Sequence, residues 1–312
     1  MPEQAPNPLR GYPALKQLVE AMLAVWPEHR KYLATRFADN PPAFLQRTEE
    51  AAQLVLTLAG DTLATHCEDY RWMCANYMEE QVYFHRHGHY RLSRFDEVNR
   101  EVYSNPAYMQ RYVHGLLLSE ILWINHATAM DLFRTEFLPE NQPGADYLEV
   151  GPGHGLFFYF AAREARNATL TGWDISATSI AATRDAMRHL GVADARYRLV
   201  QQDMFAADCP AECFDAVVIS EVLEHLETPD VALAALHRAM RKGGRIFINA
   251  PVNAPAPDHI YLWRSPEELA ALVADSGFTV ERAHYLPIAG RSLDYCRKHN
   301  ADISCVFIAR KA

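Results

Sequence analysis

Seven short β-branched or apolar runs dominate what the second half of this 312-residue chain can fold into: Tyr147–Val150, Thr169–Trp173, Ala195–Val200, Ala216–Ser220, Arg245–Asn249, Thr279–Leu286 and Ser304–Ala309. Helical periodicity separates most of them, at Leu156–Ala165, Ser176–Leu190, Pro229–Met240 and Pro266–Ser276. Strands alternating with helices require parallel crossovers, hence an open α/β sheet whose ligand lies at the strand carboxyl ends. No helical pattern separates the last two runs, which predicts an antiparallel pair at that edge.

The first 140 residues read differently. Ala14–Trp26, Arg47–His66, Glu68–Phe84 and Tyr108–Phe133 carry apolar residues at three- and four-residue spacing, with breaks at Pro27, Pro41-Pro42, the Gly88 region and Asn105-Pro106. The predicted division is an α-helical cap over residues 1–140, for substrate binding or dimerisation, and a ligand-binding unit over 141–312. With 49% hydrophobic residues the chain has material for a packed core. Its 30 basic against 39 acidic residues give a net charge of −9, which disfavours nucleic acid as a partner. Arg238, Arg241 and Lys242 read as helix-end charges complementing the dipole. Leu116–Phe133 is broken by Glu120, Asn125, His126 and Asp131, and the start lacks a secretory pattern, so a cytoplasmic protein with no membrane span is expected. The six cysteines, at 67, 74, 209, 213, 296 and 305, form no CxxC pair and read as packing thiols.

Leu148-Glu149-Val150-Gly151-Pro152-Gly153-His154-Gly155 lies directly between a predicted strand and helix. Its glycines let backbone approach a ligand closely. The dinucleotide fingerprint would need glycine where Leu156 stands, and Glu149 suits a cationic or amino group better than a pyrophosphate. Asp174, ending the second strand, suits the two hydroxyls of a ribose, and Gln202-Asp203-Met204, ending the third, suits an adenine. Together they fit an adenosine that bears an amino acid.

These residues, with Phe214-Asp215-Ala216-Val217-Val218-Ile219-Ser220-Glu221-Val222-Leu223-Glu224-His225, resemble class I S-adenosylmethionine-dependent methyltransferases over about residues 145–312. The resemblance implies an α/β, Rossmann-like, seven-stranded sheet of order 3-2-1-4-5-7-6 with strand 7 antiparallel, here behind an N-terminal α-helical domain. It implies S-adenosyl-L-methionine as cofactor, with Glu149, Gly151, Gly153 and Gly155 beside the methionine moiety, Asp174 and Ile175 at the ribose, Asp203 and Met204 at the adenine, and Ser220 ending the fourth strand. Glu221, Glu224, His225 and His259 resemble the metal-binding residues of small-RNA 2′-O-methyltransferases and ubiquinone-biosynthesis O-methyltransferases. That likeness implies a divalent ion, Mg2+, Fe2+, Mn2+ or Zn2+, which lowers the pKa of the acceptor oxygen. The competing reading has these side chains ordering the loop over the methionine without metal, with His225 or His259 as general base beside Glu221.

The expected activity is methyl transfer to a small molecule, at oxygen, in secondary metabolism. C- or N-methylation of a small acid or amine is the alternative, and RNA 2′-O-methylation would need a basic groove that the composition lacks. A noncatalytic S-adenosylmethionine-binding subunit is the reading from another class. Arg111, His114, Trp123 and His126 are candidate acceptor contacts on a stripe that equally suits core or homodimer packing. His85, His87 and His89 read as a helix end and loop, with a second metal site as the alternative.

Overall fold

Helices fill the chain up to Glu140: α1 Pro13–Val25, α2 Arg30–Phe37, α3 Pro42–Ala59, α4 Leu63–His87, α5 Phe95–Val98, α6 Pro106–Leu122 and α7 Ile124–Leu132, with π turns at Asn99–Tyr103 and Phe133–Phe137. Strands and helices then alternate: β1 Ala145–Val150, α8 Leu156–Arg163, β2 Asn167–Asp174, α9 Ala177–His189, β3 Arg198–Gln201, β4 Phe214–Ser220, α10 Pro229–Ala239, β5 Met240–Val252, α11 Pro266–Asp275, β6 Phe278–Pro287, α12 Leu293–His299 and β7 Ile303–Lys311. The computed structural model describes residues 8–164, 167–206 and 210–312; Cys209 and the expected helix end at Ala165 lie outside these.

The seven strands form one sheet of order β3-β2-β1-β4-β5-β7-β6. Every neighbouring pair from β3 to β5 is parallel, and β7 runs antiparallel to both β5 and β6. Alternate side chains of each strand feed opposite cores, as the pleat requires. Leu148, Val217, Ile219, Ile246, Ile248 and Phe307 face one way with Leu233 and Leu236 of α10 and Leu269 and Val273 of α11. Tyr147, Ala216, Val218, Phe247, Val306 and Ile308 face the other way and join a core that runs through the helical half to Leu15, Leu18 and Met22 of α1. Its hinge is aromatic: Phe133 meets Phe157 at 4.8 Å and Phe247 at 5.6 Å between ring centres, and Phe137 meets Phe247 at 5.7 Å. The helical half is therefore the covering layer of one sheet face.

Several expectations need correction. The expected break near His66 falls at Gly60, whose φ of +48° ends α3 as only glycine does without strain. Trp123 divides the expected single run Tyr108–Phe133 into α6 and α7. Ala195 lies in a 3-10 turn, and the short helix α12 intervenes between β6 and β7. Arg241 belongs to β5, where it donates to Asp215 at 2.6 Å and Asp146 at 2.8 Å instead of capping a helix dipole. Cys67, Cys74, Cys213, Cys296 and Cys305 are free thiols, four of them buried.

Candidate active site

The carboxyl ends of β1 to β5 open on one cavity of about 990 Å³. At its first end the loop after β1 doubles back because Gly151, Gly153 and Gly155 take φ of +71°, +49° and +82°. Gly151 N–H donates to the Trp173 carbonyl at 2.8 Å, which draws the ends of β1 and β2 together. A Cβ at Gly151 would stand 2.6 Å from Val222 Cγ2, so the turn is closed to any side chain. Gly151 and Gly153 line the cavity; Gly155 packs behind it, where a Cβ would meet Ala186 at 3.3 Å.

Asp174 lines the same end and accepts the Ser176 N–H at 2.8 Å, while Ser176 caps α9. Burial pushes its carboxyl up to about 6, against the backbone bonds from Ser176 and Ile175. Asp203 accepts the Phe205 N–H at 2.9 Å, and Met204 is buried at the wall. Ile175 and Phe205, 44% and 42% exposed, present apolar faces there. Two expected residues stand behind the wall. Glu149 accepts the Tyr147 hydroxyl at 2.6 Å, and burial, with help from the Glu120 charge, pushes it up to about 8. Ser220 accepts from Asn249 Nδ2 at 3.1 Å.

Beyond β4 the chain turns through Glu221 at φ +53°, a left-handed conformation costly to a residue with a Cβ and typical of functional sites. Asn249 holds it twice, accepting its N–H at 2.8 Å and donating to Oε1 at 2.9 Å. Burial, with the Asp302 and Glu120 charges, pushes Glu221 up to about 8. The 3-10 turn Leu223–His225 then brings Glu224 and His225 against His259, which arrives on the loop after β5. That loop is tied down by Ile260 and Tyr261, whose N–H groups donate to the Glu224 carbonyl at 2.9 and 3.0 Å.

His225 Nδ1 lies 3.0 Å from the Asp258 carbonyl and His259 Nδ1 lies 2.5 Å from the Ala254 carbonyl. A carbonyl only accepts, so each Nδ1 carries a proton and each Nε2 faces Glu224, 3.6 and 4.0 Å from its Oε1. Glu224 is fully buried, with its carboxyl group against that of Glu221. Burial and the neighbouring Glu221 raise its pKa well above the usual range, while burial pushes His259 down to about 4. Two imidazoles that turn Nε2 inward and a buried carboxyl group, their ligand atoms all within 4.8 Å, are a donor set that fits a divalent cation. It is the one such group of three among the described residues, and Glu221 stands outside it.

The helical half supplies the facing wall. Tyr77 and Tyr112 hydroxyls meet at 3.2 Å, the Tyr103 hydroxyl donates to Asp258 Oδ2 at 3.3 Å, and Trp123 and His126 also line the cavity. Arg111 and His114 do not reach it, because both bind Asp69 at 2.8 Å and Arg111 stacks on Trp72. His85 and His87 end α4, which Gly88 caps at φ +73°, and His89 lies beyond that turn. Asp258 was legible as the neighbour of His259. Asn249, Tyr77, Tyr103 and Tyr112 carried no motif; they join the site through packing alone.

Residues 148–248 match the family described as a methyltransferase domain. Ubiquinone biosynthesis O-methyltransferases of Pseudomonas paraeruginosa and Pseudomonas syringae pv. tomato are each 33% identical, over 106 and 109 residues, covering 34% and 35% of this chain and 44% and 45% of theirs. The chain thus spans less than half the length of the curated relatives it matches. Solved structures similar to it include a methyltransferase from Aquifex aeolicus, with TM-score 0.49, 14% identity and coverage of 67% of this chain and 99% of that one. Another is the N-methyltransferase NodS from Bradyrhizobium japonicum in complex with S-adenosyl-L-homocysteine, with TM-score 0.46, 17% identity and coverage of 60% and 87%. Residues 148–248, which match a methyltransferase domain, thus lie within a seven-stranded sheet of the order given above.

Proposed function

We propose that this protein transfers the methyl group of S-adenosyl-L-methionine to an oxygen of a small molecule, assisted by a divalent ion held by Glu224, His225 and His259. The observation that carries the reading is that the glycine loop, Asp174, Asp203 and the Glu224–His225–His259 cluster all open on one cavity. Its volume stands at the upper end for ligand pockets, which suits a cofactor and an acceptor side by side. In this reading Gly151 and Gly153 admit the methionine moiety, Asp174 accepts the ribose hydroxyls, and Asp203 and Met204 hold the adenine edge and face.

The sulfonium is already activated, so the protein's task is to align an acceptor oxygen with the methyl carbon while the carbon–sulfur bond breaks and the hydroxyl proton leaves. A divalent ion, when bound, supplies Lewis acidity that lowers the pKa of the acceptor hydroxyl. His259, neutral by burial, needs to release no proton to become a ligand. Trp123, Tyr77 and Tyr112 shape an apolar seat for the acceptor.

Calorimetric titration with S-adenosyl-L-homocysteine, alongside elemental analysis of untreated and chelator-stripped protein, tests both halves of the proposal. Expected are saturable cofactor-product binding and one divalent ion per chain, with the ion lost in Glu224→Gln while S-adenosyl-L-homocysteine still binds. No binding of S-adenosyl-L-homocysteine would overturn the methyltransferase reading. Failure of Mg2+, Mn2+, Fe2+ and Zn2+ each to bind would remove the ion and leave His225 as the general base.

A further inference from the structure

The cavity wall holds no lysine or arginine among the described residues. Its carboxyl groups stand at Asp174 and Asp203 on the cofactor side, Glu221, Glu224 and Asp258 around the imidazoles, and Glu227 and Asp302 beyond them. Burial pushes two of the four lining histidines, His126 and His259, below the usual imidazole range, so they add no compensating charge. Asp258, only 1% exposed, keeps Oδ1 without a donor although Tyr103 binds its Oδ2. A carboxylate or phosphate on the acceptor, placed away from the proposed ion, would find no lysine or arginine on this wall to pair it, and burying an unpaired charge is costly.

Asp302 is an acid that neither the cofactor reading nor the metal cluster uses, whereas Glu227 accepts the Phe95 N–H and Asp258 the Tyr103 hydroxyl. It stands immediately before β7, where the antiparallel strand begins at the sheet's ligand-binding edge, and its Oδ1 has no donor. It lines the cavity together with Tyr32 of the helical half and Glu221 at the end of β4. Aromatic rings on the facing wall favour a cation as well.

We propose that the methyl acceptor is a hydroxylated amine, cationic and free of carboxylate or phosphate, whose ammonium group pairs with Asp302 while its hydroxyl lies at Glu224, His225 and His259. The inference rests on the methyltransferase reading above and adds to it the charge class of the substrate. Asp302 is then the residue that sets specificity; it touches the end of the acceptor remote from the transferred methyl.

Three catechols with one ring and different ends serve as probes: an aminoethyl, a hydroxyethyl and a carboxymethyl side chain. Their affinities are measured by calorimetry on protein saturated with S-adenosyl-L-homocysteine and a divalent ion, at pH 8, where the amine is charged and Asp302, pushed up to about 7 by burial, is ionised. The amine is expected to bind at least about tenfold more tightly than the carboxylate, the size of one charge-assisted contact. Asp302→Asn should bring the two within about threefold, and Asp302→Glu should restore the preference. Affinity for S-adenosyl-L-homocysteine reports whether each variant is folded. Equal or tighter binding of the carboxylate, an unchanged preference in Asp302→Asn, or no binding of any catechol would overturn the inference alone. Loss of S-adenosyl-L-homocysteine binding by the unmodified protein would overturn the methyltransferase reading and this inference with it.

Discussion

Asp174 ends β2 with its carboxyl held near 6 by burial, and only when ionised does it offer both oxygens as charged acceptors to the two ribose hydroxyls. Affinity for S-adenosyl-L-homocysteine should therefore be flat above pH 7 and fall by about tenfold per unit below 6, as the proton that burial favours displaces the ligand's hydroxyls. Titration calorimetry from pH 7.5 to 5 checks this, and Asp174→Asn should weaken binding at pH 7.5 by about tenfold or more while flattening the profile. The spacing of Asp174 from the glycine loop made the residue legible in the sequence. Its elevated pKa was not legible, because that depends on the wall assembled around it. The same holds for Glu149: its place beside the loop was readable, but the alternation of β1 turns it toward Tyr147, a consequence of register that a motif does not carry.

The loop between β5 and α11 has almost no regular structure, yet it delivers His259 to within 4.0 Å of Glu224. It does so because others hold it: the Glu224 carbonyl takes two of its N–H groups, and the Tyr90 hydroxyl accepts the Ala254 N–H at 3.1 Å. Ala254 is also the residue whose carbonyl fixes the His259 tautomer, so Tyr90 is a positioning residue acting from the helical half. Tyr90→Phe is expected to lower divalent-ion affinity by about tenfold, in line with other outer partners of metal-binding histidines, and to leave S-adenosyl-L-homocysteine affinity unchanged. An unchanged ion affinity by calorimetry would assign Tyr90 to packing alone. At this scale the sheet was largely legible, since β-branched runs and their helical separators report burial pattern directly. The helices were less so: α6 and α7 read as one run because Trp123, which breaks them, is apolar like its neighbours. The aromatic wall of Tyr77, Tyr103 and Tyr112 was invisible, since the sheet residues that it faces lie more than a hundred positions away.

Buried ionisable groups set how the whole molecule responds to pH. Glu149 and Glu221 are pushed up to about 8 and Asp302 to about 7, so the folded state binds more protons than the unfolded chain up to those values. Stability contributed this way is lost as pH rises through them. His29 and His259, pushed down to about 4, act in the opposite sense and add stability as pH rises from 4 to 6.5. Three raised carboxyls outweigh two lowered imidazoles, so the ligand-free protein should lose stability steadily from about pH 5 to pH 8, on the order of 3 kcal/mol of it above pH 6.5, measurable by urea unfolding; a flat profile would mean that these carboxyls are hydrated. The shared core has a different consequence, for synthesis. Phe133 and Phe137 leave the ribosome about 110 residues before Phe247, the strand residue they close upon. At ordinary elongation rates that is a wait of about 5 to 20 seconds with the inner face of the helical layer uncovered. Translation speed between α7 and β5, and access to a holding chaperone during that interval, therefore bear on the yield of folded protein as directly as any contact in the finished structure.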